Sequence, residues 1–224
     1  MENQFSAEAK ADVETMIENM FAVYKARLQA NEWLGDKTKA EAIKKLDSMN
    51  VMVGYPEKIN DIYDKVKIDD SKSFYENARE ISRLYLQDNM ADYGQDADRE
   101  KWIVPAHTVN AFYSATINSI VFPAGILQAP FYDLEQSASA NYGGIGMVIA
   151  HEISHGFDNN GGKYDEKGNL SNWWTKEDYA EFEKRSQEMV KLFDGREFAG
   201  GKMSGVMTLG ENIADAGGMR CALE

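Results

Sequence analysis

At 224 residues the chain has room for one large domain or two small ones. Lys and Arg number 24 against 37 Asp and Glu, a formal charge of −13 with no basic stripe, which argues against nucleic-acid binding. The single cysteine, Cys221, rules out an internal disulfide and fits a reducing compartment; with no signal peptide and no run of 18 apolar residues, the expectation is a cytoplasmic protein without a membrane anchor.

Ser6 stands where a helix N-cap would. Val13, Met16, Ile17, Met20, Phe21, Tyr24 and Leu28 then recur at spacings of three and four, predicting an amphipathic helix over residues 7–31. Trp33-Leu34-Gly35-Asp36 breaks it. A shorter helix over 37–48 turns Ile43 and Leu46 inward, and Gly54-Tyr55-Pro56 reads as a turn. Residues 57–70 are polar and carry no clear period. Phe74, Ala78, Ile81, Tyr85 and Met90 mark a third helix, and the charged stretch Asp92 to Arg99 is the expected domain boundary. On this reading residues 1–98 are a helical segment, a scaffold or cleft wall with solvated charged faces, and residues 99–224 are a separate core.

The pattern changes at Trp102. Val104 to Tyr113 and Ile117 to Pro123 are rich in β-branched and aromatic residues and predict two strands around a short turn. A strand at a sheet edge can pair with an extended peptide, and the Asn110 side-chain amide could add contacts to that peptide's backbone; an ordinary hairpin fits the same residues. His107 reads as a hydrogen-bonded strand residue. Tyr142 to Ala150 is apolar or small throughout and reads as a buried helix, its glycines packing closely against a neighbouring strand.

That helix runs into His151-Glu152-Ile153-Ser154-His155. Two histidines four apart leave one helical face about 6 Å apart along the axis, a spacing that can close on one Zn²⁺. Glu152 lies beside such an ion, placed to take a proton from water. Two helix-surface histidines with a solvated glutamate would give the same pattern. Only three histidines occur in the chain, however, and burying two of them with a glutamate is costly without a metal. Gly156 can stop the helix, and Asp158 could accept from His155. Lys163 to Leu170 reads as a hairpin turn. Thr175 and Asp178 form a capping box ahead of a helix carrying Tyr179, Phe182, Met189, Val190 and Phe193.

A catalytic zinc needs a third protein ligand and one open position. With no histidine or cysteine well placed, a carboxylate must serve. Glu211 and Asp215, four apart on the helix predicted from Thr208 to Gly218, supply a ligand and an acceptor for the free ring N–H of a liganding histidine. Thr208 and Glu211 equally fit a capping box.

Asn110-Ala111-Phe112-Tyr113, the His151–His155 motif and Glu211-Asn212-Ile213-Ala214-Asp215 occur in that order in the neprilysin-like and endothelin-converting-enzyme-like zinc metalloendopeptidases, which this sequence resembles along almost its whole length. Val121 to Gln128 and Asn141 to Gly146 also look like the family, and the lack of a membrane anchor makes the chain similar to its bacterial oligopeptidase O branch. The resemblance implies a mainly α, α+β chain with a zincin-like (thermolysin-like) catalytic core, a small sheet with an edge strand, and N-terminal helices. It implies one Zn²⁺ on His151, His155 and Glu211, with Glu152 as general base. Asp158 and Asp215 would support the histidines, Asp215 counting with Glu152 in the catalytic set. Asn110 and Ala111 would hold the substrate backbone, while Ile126, Phe131, Met147 and Val148 match an apolar pocket for the residue after the cleaved bond, or are plain core. The expected activity is endopeptidase hydrolysis of short peptides before an apolar residue. Family members are much longer, and the region after the Glu211 helix carries a histidine that steadies the intermediate and an arginine that grips substrate. Neither has a counterpart here, so the chain reads as a fragment whose partners include peptide substrates and the remainder of a full-length peptidase. The alternative is a piece that binds zinc without activity.

Overall fold

A computed structural model describes residues 5–59, 61–102 and 104–224. They form two units, one from residues 1–55 with 102–224 and one from 56–101. The junctions fall after Tyr55 and after Lys101, so the first two helices share a unit with the residues from 102 onward. In the smaller unit, α3 (Ile62–Lys65) precedes α4 (Phe74–Ala91), the helix predicted from Phe74 onward. Ser73 and Glu76 close a reciprocal capping box at its start, satisfying two otherwise unpaired N–H groups.

The larger unit begins with α1 (Ala7–Ala30), capped by Ser6, which accepts from the Ala9 N–H. Its predicted stripe is real: Val13, Met16, Ile17 and Met20 are almost fully buried. α2 (Asp36–Asp47) follows, with Leu46 buried but Ile43 only half so. The chain then enters β1 (Asn50–Gly54), a strand the sequence reading passed over. β2 (Phe112–Ser114) and β3 (Ser119–Pro123) complete the sheet in the order β1-β3-β2. β1 runs parallel to β3, pairing Asn50 with Ser119 through Gly54 with Pro123, and β2 runs antiparallel, pairing Phe112 with Val121 and Ser114 with Ser119. β3 is buried on both faces, which explains its unbroken apolar run.

The first expected strand is mostly not a strand. Pro105 lacks a ladder donor, the Thr108 N–H closes a turn on its carbonyl, and Gly125 donates to the Ala106 carbonyl. Gly125 comes so near that a Cβ there would lie 2.5 Å from the His107 carbonyl oxygen. His107 is therefore an exposed turn residue, not a strand residue.

α5 (Ala138–Asn141) leads through a wide five-residue turn, Tyr142–Gly146, into α6 (Met147–His155). Ile145, Ile149 and Ile153, four apart, are completely buried and make this segment the axis of the core. The glycines before α6 do not meet a strand. Gly144 lies against the Phe131 carbonyl, and Gly146 against Met16, Met20 and Tyr142. The hairpin turn after α6 forms, with Tyr164 opposite Leu170 and Gly168 at φ +86°. α7 (Lys176–Phe193) carries half of its expected capping box. Thr175 accepts from the Asp178 N–H, but the Asp178 carboxylate turns instead to the Gly35 N–H and the Thr38 hydroxyl. A short β4 (Glu197–Phe198) and β5 (Gly201–Lys202) hairpin precedes α8 (Leu209–Ala222). Among the described residues no helix is long and apolar enough to cross a membrane.

Candidate metal centre

α6 and α8 pack more extensively than any other pair of helices. The reason is an absence of side chains. A Cβ on Gly218 would lie 2.7 Å from the Met147 carbonyl oxygen and 2.9 Å from the His151 nitrogen, and one on Gly217 would collide with the Ser154 hydroxyl. Ser154 bonds back to the Ala150 carbonyl and receives the Tyr24 hydroxyl at 3.1 Å, tying α1 to α6. Leu209, Asn212, Ala214, Gly218 and Cys221 are buried on α8, which leaves Glu211 and Asp215 on its neighbouring face toward His151.

The capping alternative for Glu211 does not form. The Thr208 hydroxyl donates to the Ser204 carbonyl and accepts from the Asn212 amide. Glu211 Oε2 lies instead 3.4 Å from His151 Nε2 and 3.5 Å from His155 Nε2. Among the described residues these three form the one group of ligand-type side chains whose atoms all fall within 4.8 Å of one another.

The tautomers follow from the partners. Asp215 Oδ1 lies 2.9 Å from His151 Nδ1, and Asp158 Oδ2 lies 2.8 Å from His155 Nδ1. A carboxylate only accepts, so each Nδ1 carries a proton, and in the neutral imidazole each Nε2 then presents a lone pair. The two Nε2 atoms face each other at 2.9 Å beside a third acceptor, Glu211. Three acceptors turned on one point repel unless a cation sits among them. In a tetrahedral zinc site with bonds of about 2.0–2.1 Å, ligand atoms stand roughly 3.3–3.4 Å apart. The two glutamate–histidine separations match that edge, and the imidazole pair sits a few tenths of an ångström inside it.

Asp158 is 3% exposed at its side chain and fully engaged. Its Oδ1 accepts the N–H groups of Asn160 and Gly161, both at 2.7 Å, leaving Oδ2 for His155. Burial disfavours charge on His155, but its bond to Asp158 and the carboxylates of Glu152 and Glu211 outweigh that, so its pKa lies above the ordinary value. The same negative field favours a metal cation. Glu152 is buried, and this pushes its pKa up to about 7; the Glu211 charge adds to the rise, while His155 and the Tyr113 N–H oppose it. A carboxyl poised there suits proton transfer near neutral pH.

A cleft of about 470 Å³ opens over these residues. Asn110 and Ala111 line it from the segment just before β2, and Tyr113, Asn160 and Met207 join them. Sequence reasoning assigned no role to these last three. Tyr113 had a usable signal, since it ends the quoted Asn110–Tyr113 run, but Asn160 and Met207 had none. Ile126, Phe131, Met147 and Val148 do not line this cleft. Ile126 is 6% exposed in the core, Val148 packs against that core, Met147 is half-buried, and the Phe131 carbonyl accepts the Ile145 N–H.

A sequence profile described as Peptidase family M13 matches residues 110–224, and a second of the same description matches residues 1–56. A neutral endopeptidase of Lactobacillus helveticus is 50% identical over 220 residues, which cover 98% of this chain and 34% of that protein. PEPO from Lactobacillus rhamnosis HN001 superposes with a TM-score of 0.94 at 43% identity, over 98% of this chain and 35% of that one. Zinc metalloprotease ZMP1 of Mycobacterium tuberculosis, solved with an inhibitor, gives 0.87 at 37% identity, over 96% and 34%. The chain spans about a third of the length of these relatives.

Proposed function

The chain belongs to peptidase family M13 and shares its zincin-like fold, and from that premise we propose that its cleft is the hydrolytic site of a zinc-dependent endopeptidase acting on short peptides. The observation that carries the reading is the meeting of ligand atoms of His151, His155 and Glu211 within 4.8 Å of one another, from α6 and α8, with a buried carboxyl beside them. His151, His155 and Glu211 would hold one Zn²⁺. Bound there, zinc would polarise the scissile carbonyl and acidify water. Glu152 takes the proton from that water and returns it to the leaving amine. Asp158 and Asp215 keep both imidazoles in the Nδ1–H form. The substrate runs along the outer strand β2, with the Asn110 amide and the Ala111 backbone holding its main chain.

A second reading is zinc binding without turnover. Two variants and one assay separate these. Glu152→Gln should retain zinc and lose cleavage of a quenched peptide; retained turnover would remove Glu152 as the base. Glu211→Ala should lose zinc, and unchanged metal content would end the three-ligand reading. A wild-type chain that holds zinc but shows no chelator-sensitive cleavage would leave the second reading standing.

A further inference from the structure

α2 carries Lys37, Lys39, Lys44 and Lys45, a pattern that reads as a solvated face. Lys45 is nonetheless 1% exposed and belongs among the largest fully buried side chains. Its Nζ donates to the carbonyls of Gly156 and Gly161 at 2.7 Å and of Tyr164 at 2.8 Å. Three acceptors consume three donors, and only the ammonium form has three. The rings of Tyr113, Phe157 and Trp173 stand 5.8, 5.8 and 5.9 Å from it, within cation–π range.

The three carbonyls belong to the segment that leaves α6. Gly156 directly follows His155. Gly161 gives its carbonyl to Lys45 and its N–H to Asp158. The segment is thus gripped from two sides, its carbonyls gathered by a buried cation and its N–H groups by a buried anion. Removing the cation would leave buried carbonyls without donors and free the segment to rearrange. The Asp158 rotamer, and with it the proton on His155 Nδ1, depends on that segment. His151 is oriented from α8 by Asp215, which Lys45 does not touch.

We propose that Lys45 is a positioning residue for the metal centre: it holds residues 156–164 so that Asp158 fixes His155 with its Nε2 lone pair facing His151 and Glu211. The zinc arm of the test rests on the ligand assignment above; the tautomer arm does not. The metal-free full chain, labelled with ¹⁵N-histidine, would be compared with Lys45→Met by long-range ¹H–¹⁵N correlation of the imidazoles. Zinc affinity would be read by competition with a chromophoric chelator. Lys45→Met should shift His155 from the single Nδ1–H pattern to a tautomer average while leaving His151 as in the wild type, and should lower zinc affinity about 10-fold or more, as loss of groups supporting a metal ligand does. Val190→Ala, a destabilising change in α7, should alter neither. The proposal is overturned if Lys45→Met leaves His155 unchanged, if both histidines change alike, or if Val190→Ala reproduces the effect. Should Lys45→Met fail to fold, Lys45→Gln keeps two of the three donors and carries the same comparison. A wild-type chain that takes up no zinc would sink the ligand assignment, and the tautomer arm would still decide the role of Lys45.

Discussion

The two imidazoles are steadied by carboxylates in opposite circumstances. Asp158 lies in a closed loop with its side chain 3% exposed, and it receives two backbone N–H groups besides His155. Asp215 sits on a helix surface with its side chain 62% exposed, and His151 is the partner it holds there. One orientation is built into the fold, and the other is an open ion-pair geometry shared with solvent. Loss of equivalent chemistry at the two positions should therefore have unequal consequences.

Asp158→Ala is the strongest way to break that comparison. It strands two buried N–H groups and releases His155, so unfolding free energy should fall by about 3 kcal/mol and zinc affinity by on the order of 100-fold. Urea melts and chelator competition read both, and a loss no larger than that of Asp215→Ala would end the distinction. Glu152, a buried carboxyl whose pKa is raised by that burial, sharpens it from another side. Its folded-state pKa of about 7 exceeds the ordinary 4.5, so between those values the folded chain keeps a proton that the unfolded chain releases. Stability of the metal-free protein is then lost as pH rises through that window. Glu152→Gln removes this dependence and should gain on the order of 2 kcal/mol relative to wild type between about pH 5 and about pH 8, a gain absent if the carboxyl is ordinary. Asp215→Ala should cost roughly 10-fold in zinc affinity and no more than about 0.5 kcal/mol in stability. Salt is the smallest lever. Going from about 0.05 to about 0.5 M should shrink the Asp215→Ala effect on affinity two- to three-fold and leave that of Asp158→Ala in place.

Much of this site was legible because its parts are local. A four-residue spacing on a helix, a second such pair on another helix, and a count of three histidines suffice to nominate His151, His155 and Glu211, and the fold brings those three together. The Ser6 cap and apolar period of α1, and the Thr175 cap and apolar period of α7, were equally readable. What escaped depends on partners distant in sequence. β1 is five residues without alternation, and only its parallel pairing with β3, some seventy residues away, makes it a strand. Val104 to Ala111 has strand-like side chains, yet Pro105 and the approach of Gly125 send its backbone elsewhere. Asp178 looked like half of a reciprocal cap until α2 claimed its carboxylate. Lys45 is the sharpest case, because nothing within α2 distinguishes a buried lysine from its solvated neighbours.

The seam at Gly217 and Gly218 bears on how this protein could be altered. α8 rises about 1.5 Å per residue, so the carboxylate of Glu211 rides roughly 10 Å along a rigid rod from the point where that rod touches α6. A single methyl at either glycine would lever the rod outward by a distance several times the few tenths of an ångström that a metal–ligand bond tolerates. Redesigning the ion preference by exchanging donors would thus leave untouched the quantity that sets the geometry, which is the thickness of two missing side chains.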